Sequence, residues 1–164
     1  MKLLAIVLCS IVLLGGCDIS FNKSTPKVMA SDPGTPQQQQ QVFDAALVFL
    51  ELLDAGKAEM TWPVVSPVLQ AKTSERVWVN GLKALRLGLG VLQKREPAAI
   101  GFIEQMPDAP AGKYALIEFA STFSTTTVKE KVVFRNDDQH WSVVGYFFNK
   151  SVTFGGDKQK APQP

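Results

Sequence analysis

Cysteine is missing from everything after residue 17; the chain of 164 residues has only Cys9 and Cys17. That absence excludes a disulfide framework and a thiolate metal site from the bulk of the protein. Histidine is nearly missing too, with His140 alone. One imidazole cannot build a multi-histidine centre, so neither a metal nor a cofactor is expected. Charge of one sign is scarce: 17 basic residues oppose 15 acidic ones, a net +2. So small a field does not recruit nucleic acid, which is left out of the expected partners. No internal repeat is visible. The apolar run from Leu3 to Leu14 falls short of the roughly 20 residues that span a bilayer. What remains is a chain 46% hydrophobic and 20% charged, the balance of one globular domain with a core of its own.

The first residues carry an address. Lys2, the run Leu3 to Leu14, then Gly15, Gly16 and Cys17 have the order of a secretory leader. Leu14-Gly15-Gly16-Cys17 resembles the lipobox of bacterial lipoproteins, where a peptidase cuts before a diacylated cysteine. The resemblance implies a signal peptide over 1–16 and lipidation of Cys17, the membrane being one partner. Cys9 is the weaker alternative, being too close to Lys2. One acyl chain holds a protein only marginally, whereas several anchor it stably. By likeness to enteric sorting signals, Asp18 favours the inner membrane on its periplasmic side, with the outer membrane left open.

Residues 17–34 mix polar residues, Pro and Gly without apolar periodicity and are expected to form a flexible tether. Residues 155–164 read as a disordered tail, leaving 35–154 as a single domain. Thr35, Pro36 and Gln38 have the order of a helix start. Phe43, Ala46, Leu47, Leu50 and Leu53 then share one helical face, and Gly56 ends the helix. Pro63 and Pro67 break the next stretch into short helical turns.

Thr73 is a candidate cap for a third helix, along which Trp78, Leu82, Leu85, Leu89 and Leu92 form an amphipathic stripe. "RLGLGVLQKR", residues 86–95, looks at first like a phosphate loop. A dinucleotide fingerprint needs a strand before the glycines and a third glycine where Gln93 stands; a Walker loop needs Gly-Lys-Ser/Thr. Neither is met. Gly88 and Gly90 are expected inside the helix instead, with Gly81 and Gly88 on a flank that lets a packed neighbour approach closely. The period changes to two after Pro97, giving strands near 99–106, 114–124, 127–135 and 139–149. The fold class is α+β: N-terminal helices packed on a curved four-stranded antiparallel sheet.

Few residues invite chemistry. Arg86 interrupts the buried edge of the third helix, and Glu118 sits between Ile117 and Phe119. Glu130 shares a strand face with Val128 and Val132. Desolvated charges need partners, so these three are candidates for a polar site in a pocket or for a structural pair. The structural pair is the preferred reading, with Glu130 first choice for Arg86. His140 beside Asp137 and Asp138 is read as an exposed hairpin residue, and no serine occupies a Gly-x-Ser-x-Gly elbow. No catalytic residue is assigned.

Taken together, "LELLDAGK", "MTWPVVSP", "VWVNGLKALRLGLGVLQKR", "GKYALIEFASTFSTTTVKEKVVF" and "HWSVVGYFF" resemble a bacterial family catalogued as domain of unknown function 4019. The likeness covers about residues 40 to 149 and is most specific at Trp62, Trp78, Arg86, Gly90, Arg95, Tyr114, Phe119, Phe123, Glu130, Trp141, Gly145 and Tyr146. It brings no activity and no catalytic residues. The element order is also similar to the nuclear transport factor 2-like or cystatin-like cone, an analogy at fold level. The leading functional expectation is a lipid-anchored cell-envelope protein that binds a protein partner or a small ligand without catalysis. A small cone-fold enzyme using Glu118 or Glu130 as general base is the alternative, and a structural subunit of an envelope complex is the third.

Overall fold

A computed structural model describes residues 32–150, the side chain of Lys150 excepted. Cys17, the leader and the tail beyond residue 150 lie outside the described residues. Among the described residues no helix is long and apolar enough to cross a membrane.

Helix α1 spans Pro36–Asp54. Thr35 and Gln38 form a reciprocal capping box, and Gly56 leaves the helix at φ +71°. Its buried face is Val42, Ala46, Phe49, Leu50 and Leu53, rotated from the expected one; Phe43 and Leu47 are only partly covered. A 3-10 turn over Ala58–Val64 and the short helix α2 (Pro67–Gln70) follow, broken as the prolines dictate. Helix α3 spans Glu75–Leu87 and is capped by Ser74 rather than Thr73.

Strands β1 (Leu92–Ile103), β2 (Tyr114–Phe123), β3 (Thr127–Asp137) and β4 (His140–Lys150) form one antiparallel sheet in the order β1-β2-β3-β4. The chain joins this sheet before α1, because Asp32 and Phe102 exchange both backbone hydrogen bonds. Helices α1 and α3 lie on one face of the sheet, α2 borders its other face beside β4, and the α+β architecture is the observed one. Phe49, Leu50, Val79 and Leu82 from the helices meet Phe119, Val132, Phe134 and Tyr146 from the sheet in a closed core. Phe49 stacks edge-on to Tyr146 with ring centroids 5.6 Å apart.

Two expectations need correction. The third helix does not continue to Leu92: it stops at Gly88, and Gly90 takes φ +76° in a turn. A Cβ there would lie 2.2 Å from Ser124 Oγ, so both backbone angle and space demand glycine. Leu85 is 38% exposed, and among the described residues nothing beyond its own helix lies within 4 Å of a Cβ built on Gly81. The first strand starts at Leu92, seven residues before the expected 99, and runs through Pro97. Pro97 is tolerated because β1 is an edge strand whose register shifts between Pro97 and Ala99.

Candidate functional site

Polar side chains converge between α1, α3 and the sheet. Glu130 enters from β3, whose even-numbered residues from Val128 to Phe134 face the helices. Ser121 enters from β2 and Tyr146 from β4, both diagonal neighbours of Glu130 in the sheet register. Arg95 lies directly across from Ser121. Arg95 owes its inward aim to the register shift between Leu92 and Lys94, since one extra residue turns the following side chains over. Arg86 reaches down from the last turn of α3, and Asp54 closes the cluster from the last residue of α1.

The contacts form a closed loop. Arg86 Nη1 donates to Glu130 Oε1 at 3.0 Å and to the Tyr146 hydroxyl at 3.2 Å. Tyr146 donates in turn to Glu130 Oε1 at 2.5 Å. Arg95 Nε donates to Glu130 Oε2 at 2.8 Å and to Ser121 Oγ at 3.3 Å. The outer nitrogens of Arg95 grip Asp54 in a fork at 2.5 and 3.2 Å, and Arg86 Nη2 pairs with Asp54 as well. Two guanidinium groups thus meet two carboxylates, and the charges balance. The Arg86 guanidinium also lies 4.9 Å from the centre of the Phe123 ring.

Glu130 is completely buried, and each of its oxygens accepts from an arginine. Burial by itself pushes its carboxyl upward. Hydrogen bonds from Arg95, Ser121 and Tyr146, with the charge of Arg95, outweigh that and hold it below the usual 4.5. The Tyr146 phenol moves the other way: burial, then the negative charge of Glu130 and the bond to it, push it above its usual 10.0 against the pull of Arg86. The cluster therefore holds a fixed carboxylate and a fixed phenol across the neutral range. A general base needs the reverse, a carboxyl raised toward neutrality and open to substrate. What this arrangement does chemically is tie α1 and α3 to all four strands.

Glu118, the other acid singled out in the sequence, points to the opposite face of the sheet, where it pairs with Lys131 at 2.9 Å. The structure does not bring it to Arg86. His140 is exposed, with Nδ1 3.0 Å from the Asp138 carbonyl oxygen. Among the described residues no group of three or more His, Cys, Asp or Glu is placed to hold a metal.

Sequence reasoning leaves Asp54, Arg95, Ser121 and Tyr146 out of the site. Ser121 carries a signal, as a lone hydroxyl on the face of Phe119 and Phe123. Asp54 carries none, because the last residue of a helix is where a solvated carboxylate is equally at home. Of two open grooves on the surface, the first borders the cluster. One of about 570 Å³ runs past Asp54, Lys83, Arg86, Leu87 and Val91. The other, about 510 Å³, lies between Gln39, Gln40 and Phe43 of α1 and the bulged stretch of β1 at Pro97 to Ile100.

Helices α1 and α3 on one face of a four-stranded antiparallel meander, locked to it by a charge-balanced cluster around the buried Glu130, define the class: a small α+β domain built around an ionic hub. The chain belongs to the family described as "Protein of unknown function (DUF4019)", whose model matches residues 45–146. That span takes in Asp54, Arg86, Arg95, Ser121, Glu130 and Tyr146. No curated protein matches the chain.

Proposed function

We propose that this protein is a lipid-anchored module of the bacterial cell envelope that binds a protein partner or a small ligand without catalysing a reaction. The observation that carries the second half of the reading is Glu130. Its oxygens are bonded to Arg86, Arg95 and Tyr146, and the residue is fully buried. An acid so bound supports rigidity rather than proton transfer. Recognition then falls to the open surfaces, the two grooves beside α1 and α3. The first half of the reading rests on the sequence Leu14-Gly15-Gly16-Cys17, with Asp18 favouring the periplasmic face of the inner membrane and the outer membrane as the other destination.

Mass spectrometry of the mature protein from its native membrane tests the anchor. The expected N-terminus is an acylated Cys17; a free Met1 or cleavage elsewhere overturns it. Titrating groove residues with candidate ligands tests the rest, with binding expected to survive Glu118→Gln. A turnover activity that disappears in Glu118→Gln or Glu130→Gln, with the fold retained, would establish the enzyme reading instead.

A further inference from the structure

The face of the sheet turned away from α1 and α3 is in part an ordinary wet surface, with Glu118 paired to Lys131. Toward the start of β2 it becomes apolar: Tyr114, Val133 and Phe147 point outward from β2, β3 and β4. Val68 and Leu69 of α2, with the turn over 106–110, border these residues and leave a recess of about 160 Å³. An apolar cavity of about 150 Å³ is large enough to hold benzene.

Both walls of the recess are fastened to one carboxylate. Ser66, the fully buried cap of α2, donates from Oγ to Asp137 Oδ2 at 2.5 Å. Arg135 pairs with Asp137 Oδ1 and donates from Nη2 to the Ala111 carbonyl at 3.1 Å, beside the turn. Tyr114 donates to the Pro110 carbonyl at 2.6 Å and fixes the turn itself. Walls held in this way keep their shape without a ligand, which lowers the ordering cost of binding. Phe147 supplies an open ring. It is 57% exposed and lies over Gly145, where a Cβ would stand 2.7 Å from the ring. A second ring can pack against it.

The rim carries one charge of each sign, Lys72 and Asp108, both exposed. Among the described residues neither takes part in an ion pair. We propose that this recess binds a free α-amino acid with an aromatic side chain. The ring enters beside Phe147, the carboxylate faces Lys72 and the ammonium faces Asp108. A fatty acid or a simple amine would leave one rim charge unanswered. The site lies across the sheet from Glu130 and is independent of the two grooves and of the lipid anchor.

Calorimetric titration of the full chain in lipid nanodiscs with L-phenylalanine tests this. Saturable binding is expected. Hydrocinnamate (no ammonium), phenethylamine (no carboxylate) and L-serine (no ring) should each bind weaker by about tenfold or more. Lys72→Met and Asp108→Asn alter the rim alone, and asparagine tolerates the left-handed φ of +59° at residue 108. Each should weaken phenylalanine binding about tenfold and leave the unfolding midpoint in place. Lys83→Met, in the groove beside Arg86, should bind as the parent does. No saturation, or equal affinity for the acid or the amine alone, overturns the proposal, and neither result needs a variant to fold. Binding lost in Lys83→Met but kept in both rim variants overturns it as well. That outcome would put the ligand in the groove beside α3, in line with the functional proposal above.

Discussion

Arg86 and Glu130, 44 residues apart in sequence, meet at 3.0 Å with the carboxylate fully buried. The pair joins the last turn of α3 to the middle of the sheet. Its energetics are those of a desolvated ion pair. Such a pair is weak evidence of net stabilisation, but removing one partner strands the other in a low-dielectric interior. Asp54, Arg95, Ser121 and Tyr146 supply the further hydrogen bonds that the intact pair needs in that interior.

Glu130→Gln removes the carboxylate from between two guanidinium groups. The expected loss is about 3–5 kcal/mol. Denaturant unfolding monitored by tryptophan fluorescence measures it. A loss within about 0.5 kcal/mol, typical of an exposed site, would contradict the burial of this group.

Stability is expected to fall at both ends of the pH scale. Glu130 is held below 4.5 in the folded state, so its contribution is present above that value and is lost as the pH drops through the folded pKa. Tyr146 is held above 10.0, so its contribution is present below that value and is lost as the pH climbs toward the folded pKa. Unfolding free energy measured across the range should show a plateau with two shoulders. Glu130→Gln flattens the acid shoulder and Tyr146→Phe the alkaline one.

Two leucines three residues apart on α3 are expected to behave differently. Leu82→Ala empties a core position and costs about 2–5 kcal/mol. Leu85→Ala, at a partly exposed site, costs clearly less. Equal losses would mean that α3 is rotated from the orientation described.

Glycines separate in the same way. Gly90→Ala forces a side chain onto Ser124 at φ +76°, a strain of about 1–3 kcal/mol. Gly81→Ala meets nothing and gains up to about 1 kcal/mol in helix propensity. Thermal unfolding of the two variants should move in opposite directions.

How far the sequence can be read depends on how regular each element is. Strand β2 alternates from Ala115 to Phe123 and β3 from Thr127 to Val132, and so spacing alone puts Glu130 on the face of Val128 and Val132. Strand β1 resists such a reading: two register shifts break its alternation, it lies at an edge, and Pro97 sits within it. The same irregularity hides Arg95, whose inward aim depends on a shift and not on spacing. The end of α3 is misjudged from spacing because Leu89 and Leu92 continue the helical period by coincidence. Leu89 is buried from a turn with Phe123 and Val128, and Leu92, half-buried, packs against that small cluster from a strand. The positive φ of Gly90, a backbone property, decides the matter. Glu118 and Glu130 differ in phase: Ile117 and Phe119 flank Glu118 directly, whereas Lys129 and Lys131 flank Glu130, which shares its face with Val128 and Val132.

The buried cluster acts as one cooperative structural unit. A double-mutant cycle between Arg86→Met and Glu130→Gln, read as unfolding free energy, tests this most directly. The predicted result is that each single change is destabilising and that the double variant loses clearly less than the two losses summed. Strict additivity would contradict the pairing. A stable Arg86→Met protein that has lost a binding activity would show instead that Arg86 serves a ligand.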